Sequence, residues 1–438
     1  MGEVLCKLFC VNNKQFLYDT NRNSLLMLSN EAYSDINKYI NNNKYKSKYI
    51  TALLKKGYLK EDIIKEIKHP LTEVAEIIVE RHLKSVILQV TKECNFRCRY
   101  CSYAFNSDYT RTHEKVCMSS ETARKSIDYL FRHSIDSNEV NISFYGGEPL
   151  LNFELIKEIV LYSKEIMRDK KLSFSMTTNF YSVTEEMLLF LYKNGFLLSI
   201  SLDGPPEYQN KHRKLAGDGS ETYSKVFMNI KRLKELYPSY FDEHVQFNTV
   251  TYKDESNNAV FEYFEKKLNV TKEKVQLQRV DESGLCLDYD ILSKRENQDN
   301  NEYFVSKNEK QYDKILSNKS TLPSIYWVNG SCVPGADKLF VSTNGMLYPC
   351  EKVNELNKCM CIGDINNGID CERVRYLMNV GNLLNYNCRE CWAIRFCRIC
   401  CANCDSGENT LSKDMKEFKC LQIKSDVLDF LKRKVISK

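Results

Sequence analysis

The chain has 438 residues, 43% of them hydrophobic, and a net charge of +5 from 63 basic and 58 acidic residues. This length predicts two or three structural units, one of them large. The charges are nearly balanced and spread along the chain, which indicates neither a nucleic-acid nor a membrane partner. No apolar run approaches the roughly 18 residues of a spanning helix. The start, MGEVLCKLFCVNNKQ, places Lys7 inside what would be a signal peptide's apolar core, so we expect a cytoplasmic protein.

That location governs how the 19 cysteines are interpreted. A reducing cytosol keeps thiols free, so closely spaced cysteines indicate metal or redox chemistry instead of disulfides. Twelve of the cysteines fall between Cys332 and Cys420, which predicts a cysteine-rich C-terminal module. The isolated Cys6, Cys10, Cys117 and Cys286 follow no pattern and are expected to act as small hydrophobic residues.

Residues 1–80 predict a small α+β unit. Two strand-like runs, VLCKLFCV and QFLYDTNRNSLLML, open the chain, the second being interrupted by a turn-forming Asn-Arg-Asn. Helical patterns follow in NEAYSDINKYI and SKYITALLKKGYL.

From Lys84 onward, apolar strands alternate with amphipathic helices. The predicted strands are SVILQVT, VNISFYG, LSFSMTT, FLLSISLD, VQFNTVT and VQLQRV. Helices are predicted in ETARKSIDYLFRH, FELIKEIVLYSKEIM, TEEMLLFLYKNG and TYSKVFMNIKRLKEL. Repeated βα units predict a parallel sheet, here an α/β fold with a partial (β/α)6 TIM-like barrel. A polar segment from Asp281 to Ser320 predicts a linker before the cysteine-rich module.

Functional residues of such barrels collect in the loops that follow the strands. TKECNFRCRYCSYAF follows the first strand, YGGEPLL the second, TTNF the third and SLDGPP the fourth. These four segments are therefore expected to meet at one mouth of the barrel. Asp203 and His212 lie near that mouth, but loop structure explains them equally well and we assign them no chemical role.

Cys94, Cys98 and Cys101 lie at intervals of four and three residues. Three thiolates leave one iron of a [4Fe-4S] cluster open, whereas a zinc knuckle needs four ligands and no fourth lies nearby. The stretch, with Tyr100 before its third cysteine, resembles the CX3CX2C signature of the radical S-adenosylmethionine (SAM) superfamily. The resemblance implies that the open iron binds SAM, whose reductive cleavage yields a 5′-deoxyadenosyl radical that takes hydrogen from the substrate.

The resemblance also implies a set of SAM contacts. The GGEP segment resembles the superfamily's binding segment for the methionine ammonium, with Glu148 as its partner and two glycines that allow close backbone approach. Asn179 matches a ribose contact, and Ser201 and Arg213 match the positions that hold the methionine carboxylate. Alternatively, Asn179 and Ser201 only satisfy strand ends and Arg213 lies on a solvated face. The implied SAM-binding residues are Tyr100, Gly146, Gly147, Glu148, Asn179, Ser201 and Arg213.

The C-terminal cysteines form a second pattern, C-x12-G-x4-C followed by C-x2-C-x5-C-x3-C and one more cysteine. It resembles the SPASM extension, which implies two auxiliary [4Fe-4S] clusters and three clusters in all. Auxiliary cluster I would use Cys332, Cys350 and Cys401. Auxiliary cluster II would use Cys388, Cys391, Cys397 and Cys420. A pair of zinc ribbons is the alternative for the module.

Auxiliary cluster I departs from the family pattern, because Tyr326 stands where fully ligated members have a cysteine. The open iron of a three-ligand cluster would accept a substrate thiolate, the metal-binding form of cysteine. Alternatively, Cys359, Cys361 or Cys371 fills the vacancy. Cys400 also offers itself in place of Cys401, although the C-x5-C-x3-C spacing favours Cys401.

The first 80 residues resemble the winged-helix-like element that binds leader peptides in enzymes that modify ribosomal peptides. Such an element takes the leader as an added strand. A generic capping domain is the alternative.

The resemblance as a whole implies a radical SAM SPASM-domain peptide maturase of the sactipeptide and ranthipeptide type. It would form thioether crosslinks in a cysteine-rich precursor peptide that carries a leader, with flavodoxin or ferredoxin as electron donor. The expected domains are 1–80 for leader recognition, 81–310 for the radical SAM barrel and 311–438 for the SPASM module. The alternatives are an anaerobic sulfatase-maturating enzyme, a maturase forming carbon-carbon links, and a non-enzymatic iron-sulfur carrier, which would need no SAM site.

Overall fold

The computed structural model describes residues 4–101, 113–252, 255–279, 302–407 and 409–436. Its first unit is a three-stranded antiparallel sheet in the order β1-β2-β3 with two helices after it. The elements are β1 (Cys6–Val11), β2 (Lys14–Asp19), β3 (Ser24–Leu28), α1 (Asn30–Asn41), α2 (Lys48–Lys55), β4 (Glu66–Ile67) and α3 (Ala75–Arg81). Ser29 and Ser47 cap α1 and α2 by accepting hydrogen bonds from the first turns. The predicted α+β unit is therefore present, and α3 crosses its expected boundary at residue 80.

The central unit alternates strands and helices as predicted. Its elements are β5 (Ser85–Thr91), β6 (Phe96–Cys98), α4 (Ser120–His133), β7 (Glu139–Gly146), α5 (Phe153–Ile166), β8 (Lys171–Thr178), α6 (Glu185–Lys193), β9 (Leu197–Ser201), α7 (Pro206–His212), β10 (Arg213–Leu215), α8 (Tyr223–Leu236), α9 (Pro238–His244), β11 (Val245–Thr251), α10 (Asn257–Leu268) and β12 (Val275–Arg279). All six predicted strands overlap observed strands.

The third unit consists of α11 (Glu302–Ser317), β13 (Ile325–Tyr326), β14 (Lys338–Val341), β15 (Met346–Tyr348), β16 (Gly363–Asp364), β17 (Gly368–Ile369), α12 (Cys371–Met378), α13 (Asn385–Arg389) and α14 (Lys413–Ile436). Short 3-10 turns lie at Pro149–Asn152, Lys272–Lys274, Val380–Leu384, Ile394–Phe396 and Cys401–Cys404. Helix α11 occupies the second half of the segment predicted to be a linker. The first half, with Cys286, lies outside the described residues.

One ten-stranded sheet joins the second and third units, in the order β12-β11-β9-β8-β7-β5-β14-β15-β16-β17. The strands from β12 to β14 are parallel, and β15 to β17 are antiparallel additions. Side chains of β7 alternate between buried and half-buried positions because one face of the strand is turned into the core. The partial (β/α)6 barrel is confirmed, and the C-terminal module extends its sheet.

The N-terminal sheet is covered on both faces. One face packs on α1 and α2 through a cluster that includes Leu17, Ile36 and Ile50. The opposite face packs on helices of the third unit in a cluster that includes Phe9, Phe16, Tyr18, Tyr312, Phe396 and Phe430. The buried guanidinium of Arg395 ties the two units together by donating to the carbonyls of Thr20 (2.6 Å) and Asn21 (3.1 Å).

Candidate active site and cysteine clusters

The three cysteines of the first loop converge directly after β5. Strand β6 pairs antiparallel with β10, which sets Cys98 opposite Arg213. Burial, followed by the charge of Glu148, raises the pKa of Cys94, and the charges of Cys98 and Cys101 raise it further. Burial likewise raises the pKa of Cys98 to about 12. The three thiols are thus close neighbours, and a metal that binds Cys94 and Cys98 must displace their protons, because burial raises the pKa of both thiols.

The GGEP segment lies against this loop backbone to backbone. The Gly147 amide donates to the Thr91 carbonyl (2.9 Å), and the Glu148 amide donates to the Glu93 carbonyl (2.8 Å). A Cβ atom on Gly146 would lie 2.2 Å from the Thr91 oxygen, and one on Gly147 would lie 2.2 Å from the Glu93 oxygen. Both glycines are therefore required by the close approach of the two loops.

Glu148 is a buried carboxylate with three protein donors. Its Oε1 accepts from the Thr178 hydroxyl (2.6 Å) and the Leu150 amide (3.1 Å), and its Oε2 accepts from the Asn179 amide (2.7 Å). Burial raises the pKa of Glu148 to about 7, and the three hydrogen bonds oppose that rise. The site therefore holds a carboxyl group that titrates near neutral pH.

Asn179 connects Glu148 to the cysteine loop. Its side-chain nitrogen donates to Asn95 Oδ1 (2.7 Å) and lies 3.9 Å from the Cys94 sulfur. Ser201 ends β9 as a half-buried residue in register with Asn248 of β11. The structure therefore brings Asn179 to the thiols and leaves Ser201 at the neighbouring strand end.

Arg213 lies in a buried cluster with an acid and a phenol, not on a solvated face. Its guanidinium donates two 2.9 Å hydrogen bonds to the carboxylate of Asp203 and lies over the ring of Tyr100. The Tyr100 hydroxyl also donates to Asp203 (2.5 Å). Asp203, to which the sequence analysis gave no role, joins the residue before Cys101 to the strand opposite Cys98. The sequence signal that could have indicated this role is the acidic residue of SLDG, which follows the end of β9.

His212 is fully buried beside this cluster. Its Nε2 lies 2.8 Å from a carboxylate oxygen of Glu255, and its ring stacks on Tyr252 with centroids 4.0 Å apart. These contacts account for its burial through packing and pairing.

The cysteines of the C-terminal module form two groups. In the first, burial raises the pKa of Cys401 well above its ordinary value, and the charges of Cys400, Cys332 and Cys350 add to the rise. Burial raises the pKa of Cys332 to about 11, again with contributions from Cys350 and Cys400. The three residues expected to hold auxiliary cluster I are therefore together, and Cys400 lies with them as a fourth thiol.

The second group contains the four cysteines expected for auxiliary cluster II. Burial raises the pKa of Cys397, and the charges of Cys391, Cys420 and Cys388 raise it further. The fully buried Cys404 lies beside this group and near Cys400, since both Cys420 and Cys400 contribute to its raised pKa. Sequence spacing assigned no place to Cys404.

The remaining candidates for the vacancy at Tyr326 lie in other surroundings. Tyr326 is buried in β13, which pairs with β4 of the N-terminal unit. The thiol of Cys361 lies 3.3 Å from the Gly363 carbonyl, Cys371 begins α12 near Glu76, and Cys359 is near Arg373. Cys400 is therefore the thiol that the structure offers to a fourth position of cluster I.

Two further observations concern the whole of the described chain. Among the described residues, no group of three or more His, Cys, Asp or Glu side chains is arranged to hold a single metal ion. A cubane differs from such a site because its thiolates bind separate irons. In the part of the chain that the structure describes, no helix combines the length and apolar character needed to span a bilayer.

Residues 88–261 match the family model of the Radical SAM superfamily. The chain contains a radical SAM domain. The match begins in β5 and ends in α10, so it includes the converging thiols and the GGEP segment. This superfamily uses SAM and a [4Fe-4S] cluster, and the buried, mutually interacting thiols of the first loop fit such a cluster.

Several curated proteins are similar to parts of this chain. The radical SAM cyclopropyl synthase TigE of Paramaledivibacter caminithermalis is 25% identical over 60% of this chain and 54% of TigE. A cysteine-type anaerobic sulfatase-maturating enzyme of Clostridium perfringens (strain 13) is 30% identical over 42% of this chain and 49% of that enzyme. The chain thus matches about half the length of each relative.

Among solved structures, native anSMEcpe with bound AdoMet and Cp18Cys peptide aligns with a TM-score of 0.54 and 21% identity. The alignment covers 81% of this chain and 98% of that one. At this identity the likeness concerns the fold, which extends beyond the radical SAM domain into most of the chain.

Proposed function

We propose that this radical SAM chain is a peptide maturase that joins a cysteine sulfur to a carbon of another residue in a cysteine-rich ribosomal peptide. The observation that carries the proposal is the N-terminal sheet with an edge strand, β3, docked onto the cysteine-rich module. Such an edge binds an extended peptide through main-chain hydrogen bonds, which suits recognition of a leader.

Strand β3 is the edge suited to the leader. It follows β2 at one end of the three-stranded sheet, whereas β1 at the other end packs against α14. Met27 of β3 is 69% exposed, which supplies an apolar contact beside the main-chain donors and acceptors of an edge strand. A capping domain would not bind a leader at this edge, so a binding measurement separates the two interpretations.

At the barrel mouth, we propose that the chain binds SAM through four side chains. Glu148 accepts a hydrogen bond from the ammonium group of the SAM methionine, Ser201 donates one to the methionine carboxylate, and Asn179 contacts the ribose. Arg213 gives two of its five N–H donors to Asp203, which leaves donors for the same carboxylate. When bound, SAM and the cluster supply a radical that abstracts hydrogen from the substrate. Asp203 fixes Tyr100 and Arg213, and thereby the loop that holds the thiols.

The C-terminal module would hold two further clusters on the groups of Cys332 and Cys388. Because Tyr326 replaces a cysteine, one iron of cluster I would lack a protein ligand and could bind the substrate thiolate. The nearby Cys400 could bind the same iron instead. We therefore propose that the substrate cysteine competes with Cys400 at cluster I. Burial raises the pKa of Cys332 and Cys401, so ligation by these two thiols requires loss of a proton.

Anaerobic sulfatase maturation is the second candidate, because several similar curated proteins carry that description. It oxidises one cysteine or serine and forms no crosslink. Carbon-carbon linkage in a precursor peptide is the third possibility. The three reactions change the mass and the free thiols of a substrate differently.

The decisive experiment incubates the reconstituted enzyme anaerobically with SAM, a reductant and a cysteine-rich precursor peptide that carries a leader. Thioether formation predicts a loss of two hydrogens per crosslink and one fewer alkylatable thiol each time. Loss of two hydrogens with all thiols still alkylatable would favour a carbon-carbon link, and conversion of a sulfatase-derived peptide to formylglycine would favour the sulfatase alternative.

Leader binding is tested separately with Met27→Asp. Its matched control is Met228→Asp, which changes a similarly exposed methionine on α8, 60% exposed. Weaker binding of the isolated leader to the first variant alone supports recognition at β3. Equal binding by both variants and the unchanged enzyme would refute it.

A further inference from the structure

Lys416 is a fully buried lysine in α14, with 0% of its surface exposed. Its ammonium donates to the Gly381 carbonyl (2.9 Å) and to the sulfur of Cys388 (3.2 Å). Cys388 is one of the four cysteines proposed to hold auxiliary cluster II. A charged side chain therefore contacts an expected cluster ligand deep inside the protein.

A buried ammonium is costly unless negative charge compensates it. The two hydrogen-bond acceptors of Lys416 are a backbone carbonyl and a sulfur, and only the sulfur becomes an anion, when it loses its proton. A cluster bound by four thiolates carries net negative charge, which provides the missing compensation. The position of Lys416 is thus explained by an occupied cluster and poorly explained by four neutral thiols.

The charge of Lys416 also reaches other thiols of this region. Burial raises the pKa of Cys420 to about 11 and that of Cys404 to about 12, and in both cases Lys416 acts in the opposite direction. The ammonium therefore faces a group of sulfurs and not one isolated side chain.

We propose that Lys416 is a positioning residue that sets the reduction potential of auxiliary cluster II by donating a charged hydrogen bond to Cys388. The inference rests on the cluster assignment in the proposed function. Hydrogen bonds to the sulfurs and nearby charge are levers that tune iron-sulfur potentials. A positive charge stabilises the reduced cluster, which has one more electron, so Lys416 raises the potential and makes this cluster the better electron acceptor.

The test is an EPR-monitored redox titration of the reconstituted full chain in which Cys94, Cys98 and Cys101 are alanine. This background keeps only the auxiliary clusters, about eight irons. Lys416→Met removes the charge and the donor, Lys416→Gln removes the charge but keeps a donor, and Lys416→Arg keeps both. Lys432→Met is the matched control, because this lysine of the same helix pairs with Asp429 and lies twelve residues after Cys420.

We expect the midpoint potential of one auxiliary signal to fall in Lys416→Met and, by less, in Lys416→Gln, while Lys416→Arg and Lys432→Met keep the original value. If Lys416→Met and Lys416→Gln each lose about four irons and Lys416→Arg keeps them, the charge is required for assembly, which would replace the proposed tuning role and so overturn it. Unchanged potentials with all irons present would overturn it, since a purely structural lysine would lower only the melting temperature. Loss of four irons in Lys416→Arg as well would likewise overturn it.

Absence of iron in the background protein itself would refute the auxiliary clusters. Presence of both clusters with no response to Lys416 would refute only the tuning role.

Discussion

The buried carboxyl group of Glu148 gives the sharpest prediction. Its pKa rises from an ordinary 4.5 to about 7, mainly through burial. At about 1.4 kcal/mol per unit, this shift corresponds to about 3 kcal/mol. Because the folded-state pKa is the higher one, the stabilising contribution is complete below about pH 4.5, declines as the pH rises, and is lost above about pH 7.

The perturbation is Glu148→Gln, which removes the titration and keeps the shape. An amide oxygen can replace one carboxylate oxygen, but the NH2 group then faces a donor, such as the Asn179 amide, at a cost of about 1–3 kcal/mol. This cost does not depend on pH. The difference in unfolding free energy between the parent protein and the variant should therefore fall by about 3 kcal/mol between pH 4.5 and pH 8.

The assay is urea unfolding of the reduced, metal-free protein at a series of pH values, with Glu154→Gln as control. Glu154 is an exposed carboxylate in the first turn of α5, so its variant should track the parent at every pH. A pH-independent difference for Glu148→Gln would refute the reasoning. If Glu148 also binds the methionine ammonium, SAM affinity should increase with pH up to about 7 in the parent protein and stay constant in the variant.

Three further outcomes are expected. Cys400→Ala should leave cluster I with three protein ligands, so that added thiol shifts its EPR signal more than in the parent enzyme; identical shifts would exclude Cys400 from the cluster. Gly147→Ala should abolish SAM cleavage measured as 5′-deoxyadenosine, because its Cβ would lie 2.2 Å from the Glu93 oxygen; normal cleavage would contradict the close approach of the loops. Arg395→Ala should lower the unfolding free energy by about 3 kcal/mol, because it removes hydrogen bonds to the N-terminal unit. Urea unfolding measures this loss, with Arg389→Ala as the control because the Arg389 side chain is more exposed. Equal stabilities of the two variants would contradict this role of Arg395.

The barrel was predictable from sequence because its signals are local. Period-two and helical patterns alternate within short segments, and strand ends carry the polar motifs, so β5, β7, β8 and β9 and the loops after them followed directly, whereas β6 within the cysteine loop did not. The second half of the expected linker was less predictable. Helix α11 forms there in a polar segment whose packing against α14 depends on residues more than a hundred positions away.

The sequence predicted which residues belong to the candidate site better than it predicted how they contact one another. Spacing grouped Cys94 with Cys98 and Cys101 because cysteines on one short loop cannot separate far. The pairing of Arg213 with Asp203 was not predicted, because the segment SLDGPPEYQNKHR does not by itself determine that the Asp203 carboxylate accepts hydrogen bonds from the guanidinium. Burial converts this pair from two solvated charges into a link between strands.

The sequence by itself determined the radical SAM domain, the cysteine groups and the small N-terminal sheet, because spacing and periodicity constrain neighbours along the chain. Only the tertiary structure decided that Cys400 joins Cys332 and Cys350, that Lys416 reaches Cys388, and that Glu148 is buried deeply enough to titrate near neutral pH. These features depend on which distant segments share one desolvated space, and desolvation is a property of the packed chain and not of any stretch of its sequence.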